Sequence, residues 1–385
     1  MRFEFATANR ILFGAGTLRE VGLIAAGSGR RALIVSGKQG ERVAPLLAIL
    51  AEHQIESIPF SVAGEPTVSL VVQGVETARQ TACDLIVGIG GGSVLDAAKA
   101  IAILLTNSGN PYDYLEVIGL GKPLTQPAAP CIAIPTTAGT GAEVTRNAVL
   151  LSPQHRVKVS LRSPLMLPRV AIVDTELAYS LPPSVTASTG MDALTQLIEP
   201  FVSIRANPLT DALCREGISR AARALRRAFE QGSDAAARED LSLASLFSGL
   251  ALANAGLGAV HGIASVLGGM YPAAHGAICA RLLPAVMAVN LRAIQRRADT
   301  HPAWSRYVEV AQILTGSEKA SPAQGVAWVQ ELCKELRIPP LREYSVSRED
   351  FPEIIEKSLA ARSTKANPVR LTADEMQEIL ELAWS

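Results

Sequence analysis

Hydrophobic and polar residues follow two different rhythms along this chain. Ahead of Leu181-Pro182-Pro183, short β-branched runs alternate with stretches of helical period. Arg31 to Gly37, Ile55 to Val62, Asp84 to Ile89, Cys131 to Ile134, Val157 to Leu161 and Val170 to Val173 read as strands. Glu41 to His53, Leu70 to Thr81 and the segment VLDAAKAIAILL after Ser93 read as helices. Strands and helices in that alternation predict parallel βαβ units and a doubly wound sheet. The opening RFEFATANRILFG also alternates, which predicts strand there, as a hairpin. Beyond the two prolines the strand signal nearly vanishes. Helical patterns cover Ser188 to Val202, Pro208 to Glu230, Ala236 to Ala255, Pro322 to Leu336, Arg348 to Ala361 and Thr372 to Ala383. The last opens on Thr372-Ala373-Asp374-Glu375, a full capping box. The boundary falls near residue 182, with an α/β domain of residues 1–182 built on a Rossmann-like parallel sheet and an all-helical domain of residues 183–385.

Composition narrows the partners. Hydrophobic residues make up 48% and charged residues 19%, which describes a folded protein with a sizeable core. Lys plus Arg and Asp plus Glu are equal at 36 each, which argues against nucleic acid or an anionic membrane as the main partner. The five cysteines are scattered among apolar residues with no CxxC pair, as buried free thiols are. That usage, with no apolar signal core in MRFEFATANR, points to the reducing cytoplasm. Leu241 to Ala280 contains no Asp, Glu, Lys or Arg, but glycines, Ser248, Asn254, Pro272 and two histidines interrupt it. Buried core helices account for it better than a membrane span does.

Three stretches carry candidate chemistry. The third strand runs directly into Gly90-Gly91-Gly92-Ser93 and a helix. Glycines at such a turn let backbone N–H groups approach a phosphate at the helix N-terminus. A Ser93–Asp96 helix cap needing no ligand fits the same residues. The fourth strand opens into Thr136-Thr137-Ala138-Gly139-Thr140-Gly141-Ala142-Glu143, a hydroxyl-rich loop at a sheet's carboxyl edge, with Lys158 a candidate cation nearby. In the helical half, Asp192 and Gln196 share a helix face, and His261 and His275 lie in the apolar, glycine-rich stretch from Gly258 to Gly276. Buried imidazoles need partners: either they are satisfied core histidines, or they join Asp192 in a three-ligand metal site with open positions. Gln196 is then a weak fourth ligand, a donor to a ligand, or structural.

With these segments placed, nearly the whole chain resembles the iron-containing, group III alcohol dehydrogenases. The resemblance rests on Gly90-Gly91-Gly92-Ser93-x-x-Asp96-x-x-Lys99, Pro135 to Glu143, Gly190-Met191-Asp192-Ala193, Ala253 to Gly258, and His261 and His275 with Gly276. It implies the dehydroquinate-synthase-like fold, an N-terminal cofactor domain and a C-terminal helical domain with a metal in the cleft. It also implies reversible hydride transfer between a small alcohol and its aldehyde or ketone with NAD or NADP, in a homodimer or larger assembly. By that likeness Gly91, Gly92, Ser93 and Asp96 hold the cofactor's phosphates, and Gly37, Thr136, Thr137, Thr140 and Lys158 line the nucleotide site. Asp192, His261 and His275 match three of the family's four metal ligands and are the catalytic set.

Two positions depart from the family. A second histidine usual in the family is Gln196 here, and another, proposed to shuttle a proton, is Ser265. An amide oxygen is a poorer ligand for a transition metal than imidazole, so Zn2+ competes with Fe2+, as in the three-ligand site of glycerol dehydrogenase. Where NAD-preferring relatives place an acidic residue, this chain has Gly37 followed by Lys38, which favours NADP. Few aromatic residues and no basic cluster favour small, uncharged aldehydes or semialdehydes. The alternatives are a cofactor-recycling lyase like dehydroquinate synthase and a degenerate, non-catalytic relative.

Overall fold

A computed structural model describes residues 2–38, 42–297 and 301–385. The chain divides into two compact units, one of Ala6–Thr137 with Gly141–Tyr179, the other of Met1–Phe5, Ala138–Thr140 and Ser180–Ser385.

The first unit runs β1 (Arg10–Phe13), α1 (Val21–Ala26), β2 (Arg31–Ser36), α2 (Ala44–Glu52), β3 (Glu56–Ser61), α3 (Val68–Gln80), β4 (Leu85–Gly90), α4 (Gly92–Thr106), β5 (Cys131–Pro135), β6 (Asn147–Ser152), β7 (Val157–Arg162) and β8 (Val170–Val173). Glu41, the expected start of the second helix, lies outside the described residues. Six strands form one parallel sheet in the order β1-β8-β5-β4-β2-β3. The central strand β4, LIVGIG, is buried at every position, because both faces of a parallel sheet are covered. Alternate residues of β2 serve the two cores. Leu33 and Val35 pack with residues of α3 and α4, while Ala32 and Ile34 pack with α1 and α2. Gly88 sets how closely α4 lies on β4, since a Cβ there would sit 2.7 Å from the Ala98 Cβ.

The connections from β2 and β4 lead to opposite sides of the sheet, so the carboxyl ends of these neighbours form a topological switch point. Gly37 follows β2 and Gly91 follows β4 at that edge; Thr136 follows β5 one strand further.

Two expectations need correction. The opening stretch forms no hairpin: among the described residues its strand is β1 alone, paired in parallel with β8. The strand at Val157 does not join the main sheet either. It pairs with β6, which the sequence reading passes over, in a separate antiparallel ribbon. Alternation reveals a half-buried strand but not its partner, and partner choice is tertiary. The ribbon is fixed by α4. Asp96 accepts the Val149 N–H at 2.9 Å and pairs with buried Lys99 at 3.0 Å, and Lys99 donates to Thr145 Oγ1 at 2.7 Å.

The second unit consists of α5 (Pro183–Val202), α6 (Pro208–Glu230), α7 (Ala235–Ala255), α8 (Ala259–Met270), α9 (His275–Arg297), α10 (Pro302–Thr315), α11 (Pro322–Glu335), α12 (Phe351–Ala360) and α13 (Ala373–Trp384). Thr372 and Glu375 make the expected capping box at the head of α13. α5 packs against α6, α7 and α9, and from Gly190 to Val202 all of its residues are buried. Among the described residues α9 is the one unbroken helix long and apolar enough to cross a membrane, and 83% of that window is buried within the protein. Core packing therefore accounts for its apolar character.

Candidate functional site

The site begins with polar residues on a buried helix. Asp192, Gln196 and Glu199 stand at i, i+4 and i+7 of α5, a single stripe on a helix with no exposed face from Gly190 onward. Each needs a partner, since an unpaired buried polar group costs on the order of 1–3 kcal/mol and a charge more.

Glu199 finds its partners at the start of α8. The α7–α8 pair bends by 100° at its break. Gly256 there has a φ of 72°, in the region where glycine is favoured. Gly258 leaves space that a Cβ would take from Glu199, 2.7 Å from its Oε1. Through that gap the Glu199 carboxylate accepts the Val260 N–H at 2.7 Å and faces His261 Nδ1 at 2.6 Å. A buried carboxylate can only accept, so Nδ1 carries the proton and Nε2 turns its lone pair the other way.

That lone pair meets Asp192. Its Oδ1 is 3.4 Å from His261 Nε2 and 3.9 Å from His275 Nε2, at the first residue of α9. Although Asp192 is only 2% exposed, Oδ1 makes no hydrogen bond. His275 reaches this place because Gly276 lets α9 approach α5. A Cβ at 276 would lie 2.2 Å from the Ser188 carbonyl oxygen and 3.2 Å from the Asp192 Cβ. One turn along α9, the Cys279 sulfur stands 3.6 Å from His275 Nε2 and 3.8 Å from His261 Nε2. The ligand atoms of Asp192, His261, His275 and Cys279 all lie within 4.8 Å of one another. An orphaned carboxylate oxygen set against the Nε2 atoms of two imidazoles fits a divalent cation.

Electrostatics agree. Burial works against a charged His261, yet Cys279, Glu199 and the adjacent Asp192 outweigh it and hold its pKa well above the ordinary 6.5. Burial likewise opposes charge on His275, and Cys279 and Asp192 raise it. Asp192 is lowered, the nearby His261 and the charge of His275 overriding its burial. Without an ion, protons supply the positive charge this cluster calls for.

Gln196 is not placed as a ligand. Its Nε2 donates to Asp192 Oδ2 at 3.0 Å, and its Oε1 accepts from the Ser248 hydroxyl at 3.1 Å. A carboxylate would repel the amide oxygen, so this orientation is the one chemistry allows. Gln196 therefore braces Asp192. Ser265 donates to the Gly262 carbonyl of its own helix at 3.0 Å.

Gly276→Ala is expected to force α9 away from α5 and destabilise the fold by about 1–3 kcal/mol, as overpacking does. A thermal melt with and without added zinc checks it. The ligand-induced gain should shrink, because His275 moves with the backbone.

The cofactor candidates lie mainly in the first unit. α4 starts at Gly92 with Gly91 as its N-cap, and no side chain caps it. The alternative Ser93–Asp96 cap is thus not formed. Ser93 sits inside the first turn; the Val94 and Leu95 N–H groups donate to the Gly91 carbonyl at 3.0 and 3.1 Å, which leaves the N–H groups of Gly92 and Ser93 at the helix head as the donors a phosphate could take. Thr137 lies beside Gly91, and the Thr136 N–H is held by the Gly90 carbonyl at 2.9 Å. Thr140 belongs to the second unit, where its neighbour Gly139 packs on Thr189. Asp96, which the motif puts beside the phosphates, is instead engaged with Val149 and Lys99. Lys158 is nearly buried in β7 and pairs with Glu65 at 2.8 Å.

Family comparison gives this geometry its context. The model of iron-containing alcohol dehydrogenases matches residues 8–175, and that of the family's C-terminal part matches residues 186–384. The chain belongs to the iron-containing alcohol dehydrogenase family. It is 36% identical to 1,3-propanediol dehydrogenase of Klebsiella pneumoniae over 99% of both chains. The crystal structure of a 1,3-propanediol oxidoreductase superposes with a TM-score of 0.92 at 35% identity, covering 100% of each chain. Sulfoacetaldehyde reductase from Bifidobacterium kashiwanohense, solved with NAD+, gives a TM-score of 0.86 at 27% identity over 100% of this chain and 99% of the other.

As an iron-containing alcohol dehydrogenase the protein is an alcohol/aldehyde oxidoreductase, dependent on a metal and a nicotinamide cofactor. The lyase and non-catalytic alternatives are not favoured. Two residues of the cluster escape sequence reasoning. Glu199 was legible in principle, as the third member of the α5 stripe, and Cys279 by its i+4 spacing from His275. Both are ordinary helix residues until the tertiary packing gives them neighbours.

Proposed function

We propose that this enzyme interconverts small, uncharged primary alcohols and their aldehydes, with Asp192, His261 and His275 holding a divalent ion and the β4–α4 turn holding the cofactor's pyrophosphate. The observation that carries this reading is the buried, unpartnered Oδ1 of Asp192 set against the Nε2 atoms of two histidines. When bound, the ion supplies Lewis-acid polarisation of a substrate oxygen, and the nicotinamide gives or takes the hydride. The chain's own residues do the positioning. Glu199 fixes the tautomer of His261, Gln196 steers Asp192 by its second oxygen, and the first N–H groups of α4 with Gly91, Gly92 and Ser93 bind phosphate. Thr136, Thr137, Thr140 and Lys158 are assigned to the nucleotide's flanks. His275, with 31% of its side chain exposed against 3% for Asp192 and 6% for His261, marks the side from which substrate approaches. With serine at 265, the alcohol proton leaves through water or the cofactor's ribose hydroxyls rather than an imidazole.

NADP is the cofactor we assign. A Cβ on Gly37 would meet nothing within 4 Å, and exposed Lys38 follows, so a 2′-phosphate has both room and a cation. Gly37→Asp is expected to weaken NADPH by about tenfold or more while sparing NADH, because like charges repel across the contact. Paired titrations of the two cofactors check it, and an unchanged NADPH/NADH ratio contradicts it. We further assign a cytoplasmic location and a homodimer or higher homo-oligomer. Metal analysis of purified protein, together with oxidation of NADPH or NADH by a panel of small aldehydes, tests the whole reading. Stoichiometric metal with net cofactor oxidation supports it; no turnover after metal reloading overturns it.

A further inference from the structure

We propose that Cys279 is a ligand of the bound metal, a thiolate that takes over the place Gln196 leaves vacant and makes zinc the resident ion. This rests on the metal site just assigned, and extends it to a residue outside the Asp192, His261 and His275 set.

Geometry comes first. Tetrahedral zinc with N at 2.0–2.1 Å and S at 2.3 Å requires S···N edges of about 3.5 Å and O···N edges of about 3.3 Å. The Cys279 sulfur lies 3.6 Å from His275 Nε2 and 3.8 Å from His261 Nε2, and Asp192 Oδ1 lies 3.4 Å and 3.9 Å from His261 and His275. Three of those spacings lie within a few tenths of an ångström of a tetrahedron's edges; the fourth, 3.9 Å between Asp192 and His275, is longer, and side-chain rotation of the half-buried His275 would have to shorten it. Both ring nitrogens that the sulfur faces are the ones Glu199 and the helix packing turn inward. Cys279 itself is fully buried.

Charge balance points the same way. Two neutral imidazoles and one carboxylate leave a buried divalent ion with a net positive charge, which is costly away from water. A thiolate brings the ligand shell itself to zero, with Glu199 standing outside that shell behind His261. Binding the ion releases the thiol proton to solvent, so no oxidant or reductant is involved. Gln196 cannot serve instead, since its amide nitrogen faces Asp192 and its oxygen is turned to Ser248. A mixed S, N and O set at tetrahedral spacing suits zinc better than iron(II), which favours more ligands of harder character.

Metal substitution tests this without recourse to turnover. The metal-free wild-type chain, reloaded with cobalt(II), should show a near-ultraviolet thiolate-to-cobalt charge-transfer band at one ion per chain. Cys279→Ser should bind cobalt without that band and weaken zinc by more than about a hundredfold, beyond the 10–100-fold typical of groups that merely support a ligand. The other four cysteines remain in the variant, so a band that survives overturns the proposal. Zinc-edge X-ray absorption on the wild-type holoprotein is independent of any variant's folding. One sulfur at about 2.3 Å supports the assignment, and a shell of nitrogen and oxygen alone overturns it while leaving the Asp192–His261–His275 site intact. Failure of the wild-type chain to bind either ion overturns both.

Discussion

His261→Ala is expected to lower kcat/KM by about a thousandfold or more and to leave the protein with substoichiometric metal. The substitution removes a ligand whose Nε2 faces Asp192 at 3.4 Å, so the ion's several kcal/mol of Lewis-acid assistance go with it. It also leaves buried Glu199 with the Val260 N–H but without its partner at 2.6 Å, the imidazole. Breaking a buried pair from one side costs about 3–5 kcal/mol, so a lower melting temperature accompanies the loss. Steady-state rates in excess zinc, metal analysis and a melt separate these effects. Near-normal turnover in a metal-free preparation of this variant would refute the assignment. The wild-type protein supplies a companion measurement in pH. Both imidazoles are raised above the ordinary 6.5 in the ion-free cluster, so protons compete with the ion for the ligand positions to higher pH than they would at ordinary histidines. Apparent zinc affinity is therefore expected to strengthen as pH rises through and beyond the usual histidine range, and to weaken below it. An affinity flat with pH there contradicts the raised imidazoles.

Glu199→Gln is the second large effect and a subtler one, because it preserves shape. The carboxylate serves two donors at once, Val260 N–H through Oε1 and His261 Nδ1 through Oε2. An amide has one acceptor oxygen, so one donor must face an NH2 group, and the negative charge that makes the imidazole more basic disappears. Metal affinity should fall by about 10–100-fold, the range found when an outer partner of a metal-bound histidine is removed. Because Glu199 touches neither substrate nor cofactor, saturating zinc should restore most of kcat; KM for cofactor should hold. A variant whose kcat stays low at saturating metal, with its fold intact by circular dichroism, would mean that Glu199 does more than orient His261.

Much of this protein was legible from its residues taken in order. Strand and helix rhythms gave the parallel sheet, since a strand covered on both faces must be apolar throughout, as LIVGIG is. The glycine turn after it marked the carboxyl edge where the topological switch lies. The boundary after Leu181 marked the change to helices, and Asp192, His261 and His275 stood out because polar groups in apolar helices demand partners.

Orientation was not in the sequence. The choice that paired β7 with β6 rather than the main sheet depends on α4, whose Asp96 and Lys99 fasten the ribbon. Gln196 was equally compatible with binding a metal and with bracing Asp192. The packed structure decides it, with Asp192 Oδ2 taking the amide N–H at 3.0 Å and Ser248 of α7 standing beside the amide oxygen. Cys279 and Glu199 gain their chemistry from helices 18 and 62 residues from or to His261 along the chain, drawn together where Gly258 and Gly276 remove a side chain. Local pattern fixes which residues are buried, because burial follows from periodicity. Which buried atoms face one another is set by how closely helices pack, and that belongs to the tertiary structure alone.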